Sequence, residues 1–385
     1  MFRRLLLMTI LVPALAYSQD FLVGINGSIK DGDSAVSSAA NLGVSSLRFD
    51  VPWREIEKSK GNFAMPQWID KTVSDALTLG MQPLLILSYG NPIYGIDKPR
   101  TSDQIDAFKR YVLYVVRYFA GRVTYYELWN EWNTTTGSAQ AGTPEDYVHL
   151  ESVIFPAVRS VQPTVKMLAA ASSGKGLKDG WMDKFFSLKG ASFCSGVSIH
   201  PYAWYDPAMR TPEASLRLID KIETSAKKWS GGSDVPLYIT EIGWPSYDGD
   251  KTTSQDDVAQ YLMRFYLLAS TRSYIEGVWW YALKDLTPVS GNPEGHFGVF
   301  DSLFEGKPSA TALQQTANLL KSKRAQTATA EQLNEITIQV WAPGASHSQI
   351  VSWTEYESVP GANTKAFSAL FKKRPLAPAL LHSTR

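Results

Sequence analysis

Two hydrophobic rhythms alternate along the chain from Phe21 to about Leu320. Short, nearly unbroken apolar runs rich in β-branched and aromatic residues are followed by longer stretches whose apolar positions return every three or four residues. The first pattern predicts strands buried on both faces, the second amphipathic helices. Strands are expected at 21–26, 44–50, 82–88, from 123 into the Trp129 segment, and at 164–170, 196–200, 236–241 and 276–281. Helices are expected at 34–42, 67–79, 102–119, from about 143, and at 211–229, 254–270 and 307–322. Eight strands in this alternation predict an α/β fold, a (β/α)8 TIM barrel. Beyond about Lys323 the rhythm stops. Residues 325–332 are small and polar and read as a linker or helix end, while 335–341 and 348–353 read as two strands joined around Pro343-Gly344. Two strands are not stable alone, so a short β-rich appendage resting on the barrel is expected at 324–385.

Composition narrows the class. Of 385 residues, 44% are hydrophobic and 19% charged, which describes a globular chain. The net charge of +1 gives no reason to expect nucleic acid as a partner. Residues 1–18 read as a signal peptide: Arg3-Arg4, an apolar run to Ala16, then Ala16-Tyr17-Ser18 before a cut ahead of Gln19. The run is too short for a stable span, so an exported, periplasmic or extracellular protein with a barrel over 19–323 is expected. The lone Cys194 cannot form an internal disulfide. The five His are scattered, without His-Glu-x-x-His or paired Cys, and no metal or cofactor is expected.

The chemistry gathers at two predicted strand ends. Glu127-Leu128-Trp129-Asn130-Glu131-Trp132-Asn133 closes the fourth strand, and Thr240-Glu241-Ile242-Gly243-Trp244 closes the seventh, 110 residues on from Glu131 to Glu241. A buried strand has no structural need for polar groups at its exit, where they cost free energy unless paired. In a barrel, however, catalytic residues sit at the C-terminal strand ends. Two carboxylates there, each beside Trp, suggest a sugar-cleaving acid pair. Arg48, on the buried second strand, needs an acid partner.

Trp-Asn-Glu closing one strand and Thr-Glu-x-Gly-Trp closing a later one resemble the clan A glycoside hydrolases. Within that clan the chain is most similar to glycoside hydrolase family 39, which includes β-xylosidases and endoglycosidases of bacterial exopolysaccharides. The likeness covers roughly residues 21–320. It implies retention of configuration, with Glu131 as acid/base and Glu241 as nucleophile. It also implies that Asn130 binds the sugar 2-hydroxyl, that Arg48 keeps Glu241 charged, that His200 contacts the sugar or the acid, and that Tyr202 bonds the nucleophile. Trp129 and Trp132 are expected to raise the pKa of Glu131. Trp280 is the expected platform beneath the reacting sugar, although Trp279 and Trp280 must face opposite ways. Trp53, Trp129, Trp204 and Trp244 are further expected sugar contacts, with Glu294 and His296 on the loop after the last strand. Tyr89 and Tyr94 are comparable candidates.

The expected function is a secreted retaining β-glycosidase acting within a polysaccharide, its partner a carbohydrate. Trp53, Trp204 and Trp244, spread around the mouth, would make several stacking surfaces of an open groove. An exo-acting β-xylosidase, a transglycosylase and a non-catalytic carbohydrate-binding protein are the alternatives.

Overall fold

The computed structural model describes residues 21–28, 32–246, 253–286, 292–321, 325–329, 335–341, 348–354 and 379–381. The expected signal peptide, 1–18, lies outside them.

Eight parallel strands close into a barrel: β1 (Leu22–Asn26), β2 (Ser46–Pro52), β3 (Gln82–Ser88), β4 (Tyr125–Leu128), β5 (Lys166–Ser173), β6 (Gly196–His200), β7 (Leu237–Ile242) and β8 (Ile275–Trp280). Each pairs with its chain neighbours, and β8 closes on β1 through Gly24↔Trp279 and Ile25↔Trp280. Around it stand α1 (Gly32–Asn41), α2 (Gln67–Thr78), α3 (Ser102–Tyr118), α4 (Pro144–Val161), α5 (Trp181–Ser187), α6 (Pro212–Trp229), α7 (Gln255–Ser270) and α8 (Pro308–Leu320). Hydroxyl caps start several of them. Thr101 and Gln104 form a reciprocal capping box on α3, and Thr143, Thr211 and Ser254 accept from the third residue beyond on α4, α6 and α7. The pattern did not predict α5, which is only seven residues long. No helix among the described residues is long and apolar enough to cross a membrane.

The barrel interior has two layers. Leu22, Leu84, Tyr125, Leu168, Tyr238 and Trp279 form the lower, apolar one. Gly24 makes room for it: a Cβ there would lie 2.2 Å from the Trp279 ring. One step up, with the period of two that a strand imposes, the inward positions become polar. They hold Asn26, Arg48, Glu127 and Thr240, all buried. The larger core lies between strands and helices.

The tail differs from its expectation. Residues 325–329, read as linker, form a strand, Ala325–Thr329, in one antiparallel sheet with Glu335–Trp341, Ser348–Thr354 and Ala379–Leu381. Its small polar sequence carries no strand pattern. Pairing with Glu335–Trp341 makes it one.

Candidate active site

Arg48 is the hub. Its guanidinium is buried on β2 and donates to Glu127 Oε2 at 2.6 Å, Asn26 Oδ1 at 2.7 Å, Glu241 Oε1 at 2.7 Å and Asn130 Oδ1 at 2.9 Å. Burial alone would lower its pKa, but the Glu127 and Glu241 carboxylates outweigh that and raise it. A buried ion pair needs this fuller satisfaction to be tolerated. Asn26 also donates to Thr240 O at 2.9 Å, so the hub is tied to β7, the strand that carries Glu241.

Glu241 has both oxygens held. Arg48 takes Oε1, and Tyr202 OH donates to Oε2 at 3.0 Å. Burial keeps the Tyr202 phenol protonated by raising its pKa, and the Glu241 charge adds to that. Glu131 lies opposite. Its side chain is 16% exposed and that of Glu241 12%. Carboxylate oxygens of the two and His200 Nδ1 lie within 4.8 Å of one another. That spacing is of the order of the ~5 Å that retaining glycosidases use and shorter than the ~6.5–9.5 Å of inverting ones.

Backbone strain aims Glu131. The chain leaves β4 with φ of 69° at Trp129 and 49° at Glu131, in the left-handed region that non-glycine residues rarely occupy. A bulge in β5 places the Ala171 carbonyl where it accepts from Glu131 N at 3.1 Å. The carboxyl then meets Thr136 Oγ1, which donates to Oε2 at 2.9 Å, and His200 Nδ1, 3.2 Å from Oε1.

The hydrogen-bond network assigns the His200 tautomer. Thr240 gives its single hydroxyl proton to Glu127 Oε1 at 2.9 Å, so its oxygen receives Nε2–H of His200 at 3.1 Å. Nδ1 then faces Glu131 Oε1 at 3.2 Å. The surroundings of Glu131 differ from expectation. Burial pushes its carboxyl up, but the His200 and Thr136 hydrogen bonds and the His200 and Arg48 charges hold it below its ordinary value. Trp129 and Trp132 take no part in the cavity. They meet edge to face, 5.1 Å apart, in the helix-facing core, where Trp132 also packs on Tyr147 of α4.

Above the pair opens a cavity of about 660 Å³ across the barrel mouth, from Asn26 and Gly27 on one side to Lys175, Trp204 and Tyr205 on the other. Arg48, Asn130, Glu131, Tyr202, Trp204, Glu241 and Glu294 line it. His200 touches both acids from beneath. His296 stands outside the lining; its carbonyl accepts from Ser246 N at 3.0 Å. Four of the expected aromatic contacts do not face the cavity: Trp53, Trp129, Trp244 and Trp280 are each fully buried. Trp53 stacks on Tyr94 and Tyr111 and donates to Glu57 at 2.6 Å, so Tyr94 is also engaged there. Trp244 and Trp280 stack on each other at 5.8 Å against Phe265 of α7. The reason is strand parity. Trp279 points into the barrel, Trp280 outward to the helices, and the next inward residue is Tyr281. Tyr281 lines the mouth, edge to face with Phe297 at 5.6 Å, in the place expected of Trp280.

Sequence reasoning also missed Asn26, Asp50, Glu127, Thr136 and Thr240. Counting by two from Tyr125, Trp279 and Arg48 finds Glu127, Tyr281 and Asp50. Thr136, on an irregular loop, leaves no such signal. Glu131, His200 and Glu241 are also the one group among the described residues close enough to share a cation. The Arg48 guanidinium already occupies the Glu241 side with positive charge.

The family model for cellulase (glycosyl hydrolase family 5) matches residues 19–284. The chain belongs to this family of clan A glycoside hydrolases. Its likeness to family 39 is seen in a solved family 39 glycoside hydrolase from the gut symbiont Bacteroides cellulosilyticus WH2. The two are 26% identical over 88% of this chain and 71% of that one, with a TM-score of 0.75. The fold is shared with a monomeric β-xylosidase from Caulobacter crescentus CB15, 16% identical over 84% and 73% of the two chains, TM-score 0.61. It is shared too with a family 5, subfamily 18 protein from Streptomyces cattleya in complex with GlcNAc, 15% identical over 79% and 81%, TM-score 0.64. No curated protein matches the chain by sequence. As a clan A member the protein is a retaining glycoside hydrolase, and its substrate is a carbohydrate.

Proposed function

We propose that this hydrolase is a β-glycosidase that cuts within an oligo- or polysaccharide, with Glu241 as nucleophile and Glu131 as acid/base. The different company of the two acids carries the assignment. Glu241 accepts from the Arg48 guanidinium and from Tyr202 OH, whereas Glu131 meets Thr136 Oγ1 and His200 Nδ1. In the first step a Glu241 oxygen bonds to the anomeric carbon. The glycosidic bond breaks, and its electron pair leaves on the aglycone oxygen, which takes the Glu131 proton. In the second step Glu131 removes a proton from water, the water oxygen bonds to the anomeric carbon, and the ester to Glu241 breaks. The reading gives the sugar 2-hydroxyl to Asn130, which accepts from Arg48 and donates to Tyr89 OH at 3.1 Å.

The cavity supports internal cleavage because its lining runs from the end of β1, at Asn26 and Gly27, to the segments after β5 and β6, at Lys175, Trp204 and Tyr205. This support replaces the row of stacking indoles, since Trp53 and Trp244 are core residues. An exo-acting reading draws on Glu294 and Phe297, which bring the segment after β8 against the cavity. Rapid viscosity loss of a β-linked polymer with mixed oligosaccharides is the expected result. Steady monosaccharide release at constant viscosity would favour the exo mode, and product growth at high acceptor concentration would show transglycosylation.

Glu131→Ala should lose about 10²–10⁴-fold on poor leaving groups, keep more activity on good ones, and recover turnover with azide. Glu241→Ala should be inactive on both. Wild-type turnover of a poor leaving group by either variant would refute the roles. We also propose that residues 1–18 direct export. The exported protein should begin at Gln19.

A further inference from the structure

We propose that Asp50 is a substrate-binding residue that selects sugars presenting hydroxyl or ammonium donors and turns away anionic ones. The proposal rests on the glycosidase reading for its substrate and adds the chemical class. Asp50 lies two residues beyond Arg48, on the same inward face of β2, and lines the cavity. Ser88 Oγ donates to its Oδ1 at 3.0 Å. Its other oxygen has no hydrogen-bond donor among the described residues. Burial raises its pKa, opposed by Arg48 and Ser88. A carboxyl so placed needs donors, and the hydroxyls of a sugar ring supply them.

The charges around it set the class. The Arg48 N–H groups are engaged by Glu127, Asn26, Glu241 and Asn130, and Nη2 also faces His200 Nε2 at 3.5 Å. The fifth N–H, on Nη2, lies against the buried His200 ring, which is not part of the cavity lining. Lys175, the other cation in the lining, is paired with Asp179 at 2.6 Å. Against these stand four acids on the cavity wall: Asp50, Glu131, Glu241 and Glu294. A uronic acid or sulfated sugar entering there meets like charge without a free partner among the described residues.

The test compares aryl β-glycosides of xylose, glucose, glucosamine and glucuronic acid with the full chain and with Asp50→Asn and Asp50→Ala. The wild type should favour a neutral or amino sugar over the glucuronide by at least about 100-fold. Preference between glucoside and glucosaminide tells hydroxyl from ammonium recognition. Asp50→Ala should lower kcat/KM on the favoured sugar by roughly 10- to 100-fold, as loss of hydrogen bonds to a charged group does. Asp50→Asn should narrow the gap to the glucuronide. Binding of neutral, amino and anionic oligosaccharides to the Glu241→Gln protein, whose amide oxygen still accepts from Arg48, is measured by calorimetry with and without Asp50→Asn. If no glycoside is turned over yet neutral or amino oligosaccharides bind in an Asp50-dependent way, the hydrolase reading fails and this one stands. Preferred turnover or binding of anionic sugars, unchanged kcat/KM in a folded Asp50→Ala protein, or no binding of any neutral or amino oligosaccharide would overturn it.

Discussion

At the scale of single residues, one hydroxyl helps to set when Glu131 gives up its proton. The Thr136 hydrogen bond favours the ionised carboxylate, and burial opposes it. In Thr136→Val the carboxyl should therefore keep its proton to higher pH, and the alkaline limb of kcat/KM should move up. A pH profile checks this; a limb that stays put or moves down would contradict it. The same depression has a stability sign. It contributes above the ordinary glutamate value of 4.5 and is lost as pH falls through the lower folded value. Arg48 is the larger case. Arg48→Met leaves Glu127 buried without its counter-charge, which costs about 3–5 kcal/mol. Denaturant unfolding should show that loss, and Arg48→Lys should restore little, because one ammonium cannot reproduce the guanidinium fork.

At the scale of elements, the segment between β4 and α4 has no regular structure, yet it must hold Thr136 still. Lys98 does this from the connection between β3 and α3. Its buried ammonium donates to Thr134 O and Gln140 O at 2.8 Å each and to Ser138 Oγ. Those three acceptors use all the donors an ammonium has. Asp97 adds a bond to Ala139 N at 2.9 Å. Burial pushes Lys98 down to about 8, so its charge is held at a cost that these acceptors offset. Lys98→Met should destabilise the fold by about 1.5–3 kcal/mol and speed hydrogen exchange at 134–140. Its alkaline limb should shift in the same direction as that of Thr136→Val. The double variant should shift no further than Thr136→Val alone. Additive shifts would mean that Lys98 does not act through Thr136.

At the scale of the whole molecule, one buried acid burdens the fold without serving the site. Glu151, on α4, is fully buried, and neither carboxyl oxygen has a partner among the described residues. Burial raises its carboxyl well above the ordinary 4.5. The unfolded chain ionises it first. Its favourable contribution is therefore complete below that ordinary value and is lost as pH rises through the folded value. Glu151→Met removes an unsatisfied polar group and should stabilise the protein by about 1–3 kcal/mol at neutral pH, with less gain under acid conditions. Thermal or denaturant unfolding of both proteins across pH checks it. A gain independent of pH would mean that Glu151 is not the titrating group.

The barrel, its strand order along the chain and the two acids were legible in the sequence, because buried parallel strands must be apolar runs and polar groups at their exits need a purpose. Strand parity was legible too, and it would have put Tyr281 rather than Trp280 at the mouth. Adjacency in the chain could not tell which aromatics meet a sugar. An indole close to Glu131 or Glu241 in the chain can turn into the helix layer, as Trp129, Trp132 and Trp244 do, since neighbouring strand residues face opposite sides. The contact between Glu131 and His200 was beyond sequence altogether. It depends on Thr240 giving its hydrogen to Glu127, on Arg48 holding Glu127 and Glu241 at once, and on a β5 bulge turning a carbonyl toward Glu131. Those contacts join β2, β4, β5, β6 and β7, and only closure of the barrel brings them within bonding distance.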